Sequence, residues 1–200
     1  MELGDTGGAA RLMERAVARA PEMVPPTRYL CARGLLELRQ RRVADARNTA
    51  AAILQNAPSS GGDFARAEKA AAYLKGMAFL VEGKTDDAIA ELSRAVTLEG
   101  GEYSIYRLGL ARAYLAAKRL PEALAAAKQS AGPLDLVKPE LELELDRVRA
   151  ILVQAEVQLA MNRPAEAAAS ARRFMEIWSR ADGGLPDRSL AERIIQAKQP

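Results

Sequence analysis

Residues 73–100 read YLKGMAFLVEGKTDDAIAELSRAVTLEG. The stretch divides into a helix with a small residue midway, a short turn at Gly83, and a second helix that opens with Ala88. Gly76 and Ala88 lie twelve residues apart. Larger apolar residues, Phe79, Ile89 and Leu92, flank these two positions. The spacing has a physical reading. Where two antiparallel helices cross closely, each must present a residue without a bulky side chain, so that ridges and grooves interlock at short interaxial distance.

Working outward, the same pattern recurs three times. The segments are 29–58 (YLCARGLLELRQRRVADARNTAAAILQNAP), 106–132 (YRLGLARAYLAAKRLPEALAAAKQSAG) and 151–178 (ILVQAEVQLAMNRPAEAAASARRFMEIW). Alignment places Gly34, Gly76, Ala111 and Ala155 at one position of the first helix. It places Ala46, Ala88, Ala123 and Ala167 at one position of the second. Leu30, Val43, Ile53, Tyr114, Leu120 and Leu124 fill the flanks in the other copies. Self-similarity at a fixed period is the signature of a repeat architecture.

These residues resemble the tetratricopeptide repeat, a helix–turn–helix unit of about 34 residues. In the second copy Gly76, Phe79, Gly83, Ala88, Leu92 and Ala95 fall on family positions, and the first copy adds the terminal Pro58. The third has Ala111 for the small Gly but keeps Tyr114 and Ala123. The fourth departs most, with polar Gln158 where an aromatic is usual. The resemblance implies an all-α, right-handed helical solenoid of about four and a half repeats with a C-terminal capping helix. The expected units are a half repeat at 6–21, repeats at 27–60, 64–101, 102–133 and 139–181, and a cap at 186–198.

Two spacings exceed the family period: Gly34 to Gly76 by eight residues and Ala111 to Ala155 by ten. The inserts, PSSGGD at 58–63 and AGPLDLVKP at 131–139, carry loop chemistry. They lengthen the connection or extend the next first helix backwards, with Asp63 as N-cap and Pro139 in a first turn. Leu141, Leu143 and Leu145 alternate like a strand. Leu141, Leu145, Val148, Leu152, Ala155 and Leu159, however, follow one helix face, and the helix prevails on length.

The ends also speak. Residues 9–21 read as the second helix of a repeat, with Ala9, Met13, Ala16 and Pro21 in place and no first helix before them. A solenoid repeat does not bury its face alone, so the chain is expected to belong to a longer protein. Near the other end, Phe174, Trp178, Ala181, Asp182, Pro186 and Ala191 are similar to the last repeat of tetratricopeptide tails on bacterial multidomain regulators. Such tails follow kinase, adenylate cyclase or winged-helix domains. Pro186 or Asp187 starts the final helix, with Leu190, Ile194 and Ile195 on one side, and Trp178 reads as its packing anchor.

Composition narrows the chemistry. About forty alanines and only 4% aromatics suit closely packed helices rather than a sheet. His is absent, which removes the usual general base and the commonest metal ligand. Cys31 is the single cysteine and reads as a structural thiol, with no His to activate it. Glu140, Glu142, Glu144 and Asp146 read as favourable charge near a helix start rather than as a metal site. Asp86 and Asp87 read likewise. No phosphate-binding loop is present. An enzyme is therefore disfavoured, and no cofactor or metal is expected.

A net charge of +3 is far from the field of a nucleic-acid binder. Arg33, Arg39, Arg41, Arg42 and Arg47 form the densest basic cluster, but no aromatics interleave with it, so nucleic acid is disfavoured. The first residues carry acids where a signal peptide needs bases, and no apolar run approaches a membrane span, so the cytoplasm is expected.

The resemblance places function on a concave groove lined by first helices. The residues projected there are Cys31, Leu35 and Leu38; Tyr73, Met77 and Leu80; Leu108, Arg112 and Leu115; Leu152, Glu156 and Leu159. Family members that clamp a chaperone's terminal carboxylate carry Asn in the groove; none occurs here, so chaperone tails are not expected ligands. The mostly apolar row suits an amphipathic or apolar peptide segment or an adjacent domain, as for a scaffold or regulatory tail. Some of the row is expected to be buried between repeats. Self-association by end-to-end stacking is the alternative.

Overall fold

The computed structural model describes residues 6–19, 27–99, 104–132, 141–180 and 185–197, save the side chains of residues 6, 17 and 141–144. Among the described residues the chain is all-α. The helices are α1 (Thr6–Arg19), α2 (Thr27–Arg39), α3 (Val43–Gln55), α4 (Gly62–Val81), α5 (Thr85–Thr97), α6 (Ser104–Ala116), α7 (Leu120–Ala131), α8 (Leu141–Ala160), α9 (Pro164–Ile177) and α10 (Pro186–Gln196). None is long and apolar enough to cross a membrane. The chain divides into two compact units, Met1–Gly101 and Glu102–Pro200.

In the first unit α2 packs on α3, α3 on α4 and α4 on α5, while α2 also packs on α4 and α1 on α2. In the second unit α6, α7, α8, α9 and α10 pack in the same succession, and α8 also touches both α6 and α10. First helices thus lie side by side within each unit, and α10 occupies the place of a further first helix. The two inserts do both things open to them: loop residues precede α4, and α4 and α8 run to 20 residues where α2 and α6 have 13. The α8 helix runs through the leucine-rich stretch, so its alternation is no strand. Its burial is wider than one seam. Ala150, Val153 and Val157 join the core with α6 and α7, and Ile151, Leu152 and Ala155 join the core with α9 and α10. Of the predicted face, Leu145 and Leu159 are exposed, and the side chain of Leu141 lies outside the described residues.

All eight small-residue positions are buried: Gly34 and Gly76, and the six alanines at 0% exposure. A shared turn explains the twelve-residue spacing. Seven residues after each small residue, Arg41, Gly83, Lys118 and Asn162 adopt φ of 59°, 76°, 58° and 57°. Their N–H groups bond the carbonyls of Leu38, Leu80, Leu115 and Leu159 at 3.0–3.1 Å. The next residues, Arg42, Lys84, Arg119 and Arg163, donate to the carbonyls of Glu37, Phe79, Tyr114 and Gln158 at 2.9–3.0 Å. That pair of bonds is a Schellman ending. The same four basic residues are the N-caps of the following helices, their carbonyls accepting from Ala46, Ala88, Ala123 and Ala167. Three residues therefore suffice to end one helix and begin the next.

Left-handed backbone costs a non-glycine residue roughly 1–2 kcal/mol. Lys118→Gly and Arg41→Gly are each expected to stabilise the protein by about 0.5–1 kcal/mol, after the added entropy of an unfolded glycine. Asn tolerates this region, so Asn162→Gly should change little. Gly83→Ala should lose about 1 kcal/mol. Its Cβ would meet nothing within 4 Å, which leaves backbone strain as the sole cause. Urea midpoints read all four; a Lys118→Gly midpoint below wild type would contradict the strain argument.

Asp63 is not an N-cap. Gly61 holds that position with φ 91°, and Asp63 lies in the first turn, paired with Arg66 at 2.7 Å. Glycine reaches the required φ without strain, so it takes the boundary. Pro139 lies outside the described residues. Pro186 opens α10 as expected, with Leu185 as N-cap.

Gln158 has a structural account. It is 7% exposed, and Ser170 Oγ lies 2.7 Å from its side-chain amide. With the amide nitrogen turned inward it also reaches the carbonyls of Gln154 and Glu166. Glu37 holds the matching position in the first repeat at 1% exposure, and Thr49 Oγ1 donates to it at 2.7 Å. Phe79 and Tyr114 take this position in the middle repeats, where Lys84 and Arg119 lie over their rings. The position therefore accepts an aromatic, or a polar side chain with a hydroxyl partner twelve residues later. Thr49→Val removes a donor from a buried carboxylate, and an expected loss of roughly 1.5–3 kcal/mol follows. Thr49→Ser, which keeps the donor, should lose clearly less; equal losses would assign the effect to packing.

Candidate functional site

The projected row divides between core and surface. In the first unit Leu38 and Tyr73 are 5% and 4% exposed, and Cys31, Leu35 and Met77 are half-buried against the core of α2, α3 and α4. Leu80 is half-buried, with Val81 at 36% beside it. In the second unit Leu108 and Leu152 are each 3% exposed, and Leu115 is half-buried. Arg112 and Leu159 are exposed, and Glu156 is half-buried. The continuous apolar row is thus largely core. A first helix such as α4 or α8 packs on its own second helix, on the preceding second helix and on a first helix of the same unit. That leaves a strip narrower than one flank, and much of the apolar row falls under the neighbours.

What remains on the second unit's first-helix face is mostly charged, with Leu159 as its exposed apolar residue. Arg112 comes from α6, Glu156 from α8 and Asp187 from α10. Burial pushes the Glu156 carboxyl above the usual carboxylate range; Arg112 opposes that shift and Asp187 adds to it. Among the described residues, the side chains of Glu156 and Arg112 make no hydrogen bond or ion pair within 4.0 Å. Two turns before Glu156 on α8, Arg149 pairs with Asp187 at 3.0 Å and with Asp146 at 3.8 Å. Arg149 and Asp187 are absent from the sequence-derived row. The seven-residue step from Arg149 to Glu156 was a legible signal, but the arrival of α10 beside α8 was not.

A raised folded pKa means that the folded state holds its proton more readily than the unfolded chain. The Glu156 carboxyl therefore lowers stability progressively as pH rises from the ordinary glutamate value through the raised one. Glu156→Gln is expected to melt above wild type at neutral pH. The difference should vanish below about pH 4, where both side chains are neutral. A difference that did not change with pH would point to packing instead.

The other candidates fall elsewhere. Of the basic cluster, Arg33 and Arg42 turn to Glu37 at 2.8 and 4.0 Å, and Arg42 also to Asp45 at 3.6 Å. Arg47 bonds Glu82 at 2.8 Å and lies over the Phe79 ring. Glu82 is in turn held below the usual carboxylate range by Lys84 and Arg47. Much of the cluster is thus engaged in structural pairs. Glu140 and the side chains of Glu142 and Glu144 lie outside the described residues, as do Ala181 and Asp182. No group of three or more metal-type ligands occurs among those described. Trp178 is half-buried and stacks at 5.0 Å on Phe174, which is 0% exposed; Phe174, rather than Trp178, is the buried anchor of the C-terminal end.

A family model of the tetratricopeptide repeat matches residues 1–61 and 73–135. No curated protein and no solved structure matches the chain. The repeated turn, the buried Gly/Ala pairs and this match agree. The chain belongs to the tetratricopeptide repeat family.

Proposed function

We propose that the chain binds a partner protein segment on a first-helix face, acting as a scaffold or regulatory module. Tetratricopeptide repeats generally mediate protein–protein interaction, and that coarse role comes with the family. The observation that carries the finer reading is on α6, α8 and α10. There an exposed Arg112, a half-buried Glu156 and an exposed Leu159 come from the adjoining first helices α6 and α8. Leu80 and Met77 offer a smaller apolar strip in the first unit.

The test is affinity capture from the source cell, followed by titration of the recovered partner. Leu159→Glu should weaken binding by roughly 2 kcal/mol or more if the residue is central, with melting unchanged. Ala169→Glu, on the exposed outer side of α9, should leave binding intact. Met77→Glu is less clean, because Met77 touches the core and should lose stability as well. Wild-type affinity in Leu159→Glu would move the site elsewhere. Self-association is favoured by one observation, Leu12 on α1 at 65% exposure. Light scattering that rises with concentration in wild type but not in Leu12→Glu would support that reading instead.

A further inference from the structure

We propose that the partner segment seats a basic side chain, lysine or arginine, on Glu156. The inference rests on the reading above and names the chemistry of its ligand. Glu156 is half-buried on α8, flanked by the Asp187 carboxylate of α10, itself paired with Arg149, and by the Arg112 cation of α6. Its carboxylate has lost much of its water without gaining a donor among the described residues. A carboxylate in that state gains more from a charge-assisted hydrogen bond than a solvated one does. Arg112 is exposed and stays hydrated, so an acidic partner group there gains little. The contrast makes Glu156 the anchor and Arg112 a secondary contact. Leu159, one turn along the same face and 38% exposed, receives the apolar residues beside the base. The occupant is therefore a segment with one lysine or arginine set among aliphatic residues, with an acid nearby tolerated by Arg112.

The probe is a random twelve-residue peptide library selected on the full chain, with the selected peptides resynthesised for titration. Selected peptides are expected to share a lysine or arginine. Changing that residue to Gln, or Glu156 to Gln in the protein, should each weaken binding about tenfold or more. The two changes together should do little further, because both remove one interaction. Glu156→Gln should melt at or above wild type at neutral pH, so its loss of binding would not come from unfolding. Peptides that depend on Leu159 but share no base, or that bind Glu156→Gln as tightly as wild type, would overturn the inference and leave the docking face standing. Selection of peptides indifferent to both Leu159→Glu and Glu156→Gln, or of none at all, would overturn both.

Discussion

Gly76→Leu is expected to lose at least about 3 kcal/mol, at or beyond the upper end for overpacked cores. A Cβ at Gly76 would lie 2.5 Å from Leu92 Cγ and 3.1 Å from the Leu92 backbone nitrogen. Leu92 is itself 0% exposed and has nowhere to move. Even Gly76→Ala should destabilise, because its gain in helix propensity of about 1 kcal/mol meets this obstruction. Gly34→Ala is the instructive contrast. Its Cβ would meet only side-chain atoms of Leu74, at 2.6, 2.9 and 3.3 Å, so part of the clash can be relieved by a rotamer change. Ala90→Leu, on the exposed side of α5, should do almost nothing. Thermal midpoints separate these outcomes, at roughly 2–4 °C per kcal/mol for a chain of this size. An unchanged midpoint in Gly76→Leu would mean that α4 and α5 do not cross closely there. The comparison also refines the pairing inferred from spacing. The nearest neighbour of Gly76 is Leu92, one turn beyond Ala88, while Gly34 faces Leu74 of the next first helix.

Phe174→Ala should cost about 3–5 kcal/mol, the usual range for a fully buried aromatic. Phe174 sits in a cluster with Ile151, Leu152, Ala155, Ala167, Ala171, Ala191 and Ile194, and so ties α8, α9 and α10 together. Four of these seven neighbours are alanines, which cannot rearrange to fill the cavity. Trp178 is the single tryptophan and stacks on Phe174, so its fluorescence reports directly on this cluster. The expected result is a red-shifted emission and an earlier urea transition in Phe174→Ala. Trp178→Ala, lacking full burial, should cost less by circular dichroism. A larger loss from Trp178 than from Phe174 would reverse their roles as anchor and flank.

Helix count, hairpin pairing and the buried Gly/Ala positions were legible because each depends on local rules. A 3.6-residue period marks a helix, and a close crossing excludes bulk wherever it occurs. The length of the turn between paired helices was legible for the same reason, since twelve residues recur in all four copies. Its backbone was hidden. Three of four left-handed positions are Arg41, Lys118 and Asn162, and only Gly83 advertises the conformation. Two hydrogen bonds of the Schellman ending stabilise the turn, whichever side chain stands at its centre. Gln158 looked like a defect because its partner Ser170 lies on the other helix of the pair.

The candidate site lay beyond local rules altogether. Periodicity places Leu38, Tyr73, Leu108 and Leu152 on one side of their helices, but whether that side meets water depends on the tilt and spacing of three neighbouring helices. Alanine-rich partners approach closely and cover those side chains. The same packing leaves Arg112 in solvent, half-buries Glu156 between α6 and α10, and brings Asp187 to it from thirty-one residues away. Chain pattern thus decided which residues form helices and which small residues let them cross. Tertiary packing decided which polar groups lost their water, because desolvation is a property of all the neighbours at once.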